Sequence, residues 1–107
     1  MIPEDTINEI RQFITDRDWR RFHTPGNMAK SISIEAAELL ECFQWSDEPR
    51  DGDWEHVHEE LADVMIYCIQ MADLLGVDLD EIIHSKMEKN AKRYPVELSK
   101  ESSAKAE

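Results

Sequence analysis

The chain has 107 residues, one ordinary domain's worth, and carries 24 Asp and Glu against 12 Lys and Arg for a formal net charge of −12. That balance argues against a nucleic-acid grip, which needs a basic face for the phosphate backbone, and equally against docking on an anionic membrane. Hydrophobic residues make up 41%, enough for a core and too many for a disordered acidic tail.

Helix 1 is expected from about Glu4 to Asp16, with Ile7, Ile10, Phe13 and Ile14 at helical spacing and two acids at the positive end of its dipole. RDWRRFHTPGN breaks the pattern, and Thr24-Pro25-Gly26 reads as a turn. Asn27 is read as the cap of helix 2, which is expected to run to about Trp45. A loop with Pro49 and Gly52 leads to helix 3, from about Trp54 to Leu75, stopped by Gly76. Asp78 followed by Glu81 resembles a capping box opening helix 4, which runs to about Arg93 before Pro95. Residues 99–107 form a polar tail expected to be disordered. The sum is an all-α bundle of four to five helices, in one domain over residues 1–98.

No run approaches the roughly 18 apolar residues of a spanning helix, and the segment MIPEDTINEI has no signal-peptide pattern, so a cytoplasmic protein is expected. Cys42 and Cys68 form no CxxC pair and read as buried, reduced thiols.

Most of the acids suit solvated helix faces, but four do not. Helix 2 shows an apolar stripe of Met28, Ile32, Ala36, Leu39, Leu40 and Phe43, and Glu35 falls at its edge with Glu38 beside it at i+3. Helix 3 reads VMIYCIQMADLL over residues 64–75, apolar on nearly every side, which marks it as the central helix. Glu60, Asp63 and Tyr67 share a sector of about 60° on it. A short loop makes helices 2 and 3 antiparallel neighbours. Glu35 and Asp63 then lie about 15 and 14 Å from the connecting end, and Glu38 and Glu60 about 10 and 9 Å. Four carboxylates converging at one level repel each other unless cations join them, and hard oxygen ligands suit Mg²⁺ or Mn²⁺. On helix 4, Lys86, Asn90 and Arg93 recur at i, i+4 and i+7. Snorkelling cations of an amphipathic helix fit Lys86 and Arg93 equally well, but a polyphosphate bound beside metal ions would need such charges.

Glu35-x-x-Glu38 followed by Glu60-x-x-Asp63 resembles the signature of the MazG-like, all-α nucleoside triphosphate pyrophosphohydrolases. Within that superfamily the chain is most similar to the dCTP pyrophosphatases, through RDWRRFHTPGN, EAAELLECFQW, EELADVMIY and SKMEKNAKRYP. The resemblance spans roughly residues 7–99. It implies that Glu35, Glu38, Glu60 and Asp63 hold Mg²⁺; of these, Glu38 is read as the carboxylate that orients or deprotonates the attacking water. The resemblance implies that Trp19, Trp45 and Tyr67 line a base pocket. It also implies that Lys86, Asn90, Arg93 and Tyr94 meet the triphosphate and sugar. Ile10 departs from the pattern, standing where some relatives of this type place a polar, base-contacting residue. The implied reaction is hydrolysis of a deoxynucleoside triphosphate, dCTP or a modified dCTP first, to the monophosphate and pyrophosphate, in sanitation of the nucleotide pool. Helix 3 is too apolar for one small chain to cover, and with the resemblance this points to a homotetramer, or a dimer.

Two other readings compete. An acidic helical interaction module would explain the apolar helix 3 but not the matched carboxylates. A di-iron carboxylate bundle would use Glu55-x-x-His58 and Glu81-x-x-His84, but both pairs begin their helices.

Overall fold

The computed structural model describes residues 2–100, which hold five α-helices and no strand. Helix α1 spans Glu4–Asp16 and starts on the carbonyl of Pro3, which accepts from the N–H groups of Thr6 and Ile7. The chain leaves it through Asp18, at φ 54°, into a single 3₁₀ turn, Arg20–Phe22.

Helix α2 spans Pro25–Glu41. Its cap is Thr24, not Asn27. Thr24 is extended, and its hydroxyl accepts from the Asn27 N–H at 3.1 Å. Pro25 then sits in the first turn, where its missing N–H has no partner to lose. The expected turn at Thr24-Pro25-Gly26 is therefore the helix start. The other end also differs, because α2 stops at Glu41 rather than near Trp45. Cys42, Phe43 and Gln44 continue only through tighter bonds to the carbonyls three residues back. The N–H of Arg50 then returns to the Cys42 carbonyl at 3.0 Å and closes the loop.

Helix α3 spans Trp54–Leu75, capped by the Asp53 carboxylate on the His56 N–H and ended by Gly76 at φ 67°, a left-handed conformation that suits glycine. Phe43 meets Trp54 at 5.9 Å and Glu38 meets Glu60, so positions rising along α3 pair with positions falling along α2. The two helices form an antiparallel hairpin, and α1 packs on α3.

The inward face of α2 is rotated from the expected stripe. Met28, Ile32, Glu35, Leu39 and Cys42 turn inward at heptad spacing, whereas Ala36 and Leu40 face outward, Leu40 at 68% exposure. An acid thus occupies a position where the pattern calls for an apolar side chain. Met28 is the best-buried apolar residue, with Ile14, Cys42, Val57, Ile69 and Ala72 completing a small core. Truncating Met28 to Ala is expected to remove about 2–5 kcal/mol. Leu61 and Met65 on α3 remain exposed, as its all-round apolar sequence requires of a chain this short. Cys42 is buried and Cys68 half-buried, both as free thiols.

The chain divides into two compact units at Gly76 and Val77. The second holds α4, Leu79–Arg93, capped by the Asp78 carboxylate on the Glu81 N–H as expected. It also holds a short α5, Val96–Ser99, which starts on the Pro95 carbonyl and which the sequence pattern did not indicate. Ser99 of the expected tail closes that turn, and residues 101–107 lie outside the described residues. Among the described residues no helix is long and apolar enough to cross a membrane.

Candidate active site

Glu35 and Glu38 project from successive turns of α2 toward Glu60 of α3. Carboxylate oxygens of all three lie within 4.8 Å of one another. Glu60 is 8% exposed, Glu35 is half-buried and Glu38 is open to solvent. One oxygen on each of the two inner acids, Glu35 Oε2 and Glu60 Oε2, is buried without a hydrogen-bond partner. His56 Nε2 lies 3.5 Å from Glu60 Oε1, on a side chain that is itself more than half exposed.

The electrostatic consequence is strain. Burial first, then the adjacent Glu38, pushes the Glu35 carboxyl from its ordinary 4.5 up to about 7. Burial and Glu38 raise Glu60 likewise, with His56 opposing in part. Asp63 lies outside the tight trio, yet its charge adds to the repulsion on both Glu35 and Glu60. Such a group must gain protons or a cation. Buried oxygens with unused lone pairs, all from carboxylates, suit a hard divalent ion such as Mg²⁺ or Mn²⁺. Neither Glu55/His58 nor Glu81/His84 belongs to this cluster.

Asp63 also lines a cavity of about 500 Å³ between α1, the 3₁₀ turn, α2 and α3. Its aromatic walls are Phe13, Trp19, Phe22 and Tyr67, and Trp19 meets Phe13 edge-on at 5.8 Å. The Arg17 guanidinium lies 3.5 Å from the Phe13 ring centre and stiffens that wall from outside. The structure therefore brings Trp19 and Tyr67 together with Asp63. Trp45 is not among the lining residues; it stands in the loop after α2 at 83% exposure. In the second unit, Lys86 and Arg93 are exposed, Asn90 and Tyr94 are half-buried, and the Arg93 guanidinium lies 5.3 Å from the Tyr94 ring.

Sequence reasoning missed part of the cavity. Phe13 and Phe22 were legible only as apolar residues, and His23 and Asn27 only as parts of the FHTPGN segment. Gln70 was findable, since it extends the Asp63–Tyr67 row of α3 by one more turn.

A helical hairpin that gathers unpaired acids next to an aromatic cavity defines a class of all-α, cation-ready ligand sites. A model of the MazG-like family matches residues 30–107, and the chain belongs to that family. The sequence is 40% identical over 114 aligned positions to dCTP pyrophosphatase 1 of Homo sapiens and of Rattus norvegicus, covering 96% of this chain and 67% of each relative. A crystal structure of a pyrophosphatase from Archaeoglobus fulgidus superposes with a TM-score of 0.78 at 41% identity, covering 86% of this chain and 91% of that one.

Proposed function

We propose that this chain is a nucleoside triphosphate pyrophosphohydrolase that uses Mg²⁺, with Mn²⁺ as a substitute, to convert deoxynucleoside triphosphates to monophosphate and pyrophosphate. The preferred substrate is dCTP or a modified dCTP, and the role is sanitation of the nucleotide pool in the cytoplasm. The observation that carries this reading is the trio Glu35, Glu38 and Glu60, each with a carboxylate oxygen within reach of one ion and two of them with a buried, unpartnered oxygen, next to an aromatic cavity.

Glu35, Glu38, Glu60 and Asp63 would hold the cation. When bound, it offsets phosphate charge and stabilises the negative charge that builds on the leaving pyrophosphate. Glu38 is the most open acid of the trio and takes the proton of the attacking water. The water oxygen bonds to the α-phosphorus while the bond to the bridging oxygen breaks, and the electron pair leaves with pyrophosphate. Trp19 and Tyr67 hold the base by stacking and contact. Trp45, Lys86, Asn90, Arg93 and Tyr94 are assigned to base, triphosphate and sugar on residue chemistry and family resemblance. Residues 1–98 are taken as the catalytic domain. Exposed Ile34, Leu40, Leu61 and Met65 supply apolar surface for a homotetramer, or a dimer as its smaller alternative. An acidic interaction module would use the same surface but leaves the unpartnered carboxylates without a purpose.

The test is a panel of canonical and modified nucleoside triphosphates with Mg²⁺, scored for pyrophosphate release. Formation of a monophosphate from at least one is expected. If none yields one, the reading fails.

A further inference from the structure

The carboxylates are not the only buried groups left without a partner. Gln70 of α3 is 8% exposed, and its Oε1 accepts no hydrogen bond. It lines the same cavity as Asp63 and Tyr67. Glu60, Asp63, Tyr67 and Gln70 fall within about 80° on the helix, so they form one row with the acids at one end and the amide about 15 Å from Glu60 at the other.

Two donors of the neighbourhood are committed elsewhere. The Asn27 side chain donates to the Phe22 carbonyl at 3.0 Å, and the Arg11 guanidinium grips Asp73 at 2.9 Å. The cavity lining also holds the apolar Ile10, Ile14 and Ile66 together with His23, Ser31 and Tyr67, none of which bonds to the amide oxygen. A buried acceptor without a donor destabilises the fold until one arrives. At the acidic end of the row the missing partner is a cation. At this end it is a hydrogen donor, and in a cavity walled by aromatic rings the donor suited to it is the exocyclic amine of a heterocyclic base.

We propose that Gln70 is a specificity-determining residue of this site, whose amide oxygen accepts a hydrogen bond from the exocyclic amine of the bound base. Substrates with an amino base are thereby preferred over those with hydrogen or a carbonyl at that position. This rests on the pyrophosphohydrolase reading above.

The test compares kcat/KM for dCTP, the 2-pyrimidinone deoxynucleoside triphosphate that lacks the amine, and dTTP. The proteins are the wild type, Gln70→Leu and Gln70→Met, the last keeping the length of the side chain in case the first does not fold. The wild type is expected to prefer dCTP over the 2-pyrimidinone analogue by about tenfold or more, mostly through KM. In both variants that ratio falls to near one, because kcat/KM for dCTP drops toward that for the analogue. Thermal stability of the free variants is unchanged or higher, because the unpaired acceptor is gone. Two results overturn the proposal: a wild type that does not separate dCTP from the analogue, or variants that keep the separation. A wild-type preference for dTTP that vanishes in Gln70→Leu overturns the amine assignment, since it means that the amide donates instead. If these three and every triphosphate of the broader panel go unhydrolysed, the pyrophosphohydrolase reading itself falls. Hydrolysis without discrimination removes only the role of Gln70.

Discussion

Helix α3 carries two inward acids with opposite fates. Asp73 receives two parallel bonds from Arg11, Nε to Oδ2 and Nη2 to Oδ1, both at 2.9 Å, and is 23% exposed. Glu60, about 20 Å back along the helix, has two more acids for neighbours, a half-exposed histidine at 3.5 Å and an oxygen with no partner. The Arg11–Asp73 fork is a finished contact that ties α1 to α3. The Glu60 cluster has no such fork: its carboxylate neighbours are acids that repel it, and together they could hold a metal ion. The same residue chemistry on the same helix therefore serves both a contact that holds the fold and a cluster that could hold a metal ion.

The largest expected difference between the two is in activity. Glu60→Gln or Glu38→Gln is expected to lower turnover by about 100-fold or more, since each removes a charge placed for the cation or for the water. Asp73→Asn should leave turnover close to wild type. Pyrophosphate release at saturating substrate and Mg²⁺ measures both. Comparable losses at positions 60 and 73 would erase the distinction.

The next effect lies in stability and its dependence on pH. In the folded, metal-free protein Glu35 holds its proton up to about 7, against an ordinary 4.5. The folded state then binds more protons than the unfolded one between those values. The Glu35 contribution is fully present below about 4.5 and is lost as pH rises through about 7. Thermal midpoints in EDTA should show this as a decline across that window that is smaller in Glu35→Gln. Divalent cation should reverse it, because binding needs the deprotonated acids. At a concentration one hundred times Kd, mass action adds about 2.7 kcal/mol. Binding near pH 6 should also release protons, visible as a buffer-dependent heat. A midpoint in EDTA with the same pH dependence in wild type and variant would show that the cluster is not strained.

Much of this arrangement was legible in the sequence, and the gaps have physical causes. The bounds of α1, α3 and α4 follow from local signals: acids in a first turn, an aspartate cap, a glycine that ends the helix. The bounds of α2 do not, because Thr-Pro-Gly can open a helix as well as turn a chain, and the apolar stripe continues past Glu41 into tighter turns. Counting apolar residues placed Leu40 inward and Glu35 at an edge. Packing against α3 fixes the helix rotation instead, and it puts Glu35 in a core position. Pairing of acids across the hairpin was readable from helix rise alone, as Glu38 and Glu60 show. Gln70 was legible as one more turn of the Asp63–Tyr67 row, but its buried, unpartnered oxygen was not, because that depends on the packing around the cavity.

The smallest effect is at the finished contact. Arg11 is half exposed, so solvent screens its pair with Asp73, and ion pairs of that kind contribute little. Asp73 favours the charged guanidinium, chiefly by hydrogen bonding and then by charge, but that group is ionised at any working pH in either state. Breaking the pair should therefore lower the thermal midpoint only slightly, and by a similar amount across the neutral range. Arg11→Ala, Asp73→Ala and the double variant form a cycle that isolates the coupling. The coupling should be small, favourable and reduced by salt, whereas the same cycle between Glu35 and Glu60 in EDTA above pH 7 should be unfavourable. Opposite signs at the two positions are what one completed ion pair and one set of like-charged metal-ligand candidates require. If the Glu35–Glu60 coupling is favourable without metal, those acids share a proton as a structural pair, and the cation is not needed to explain them.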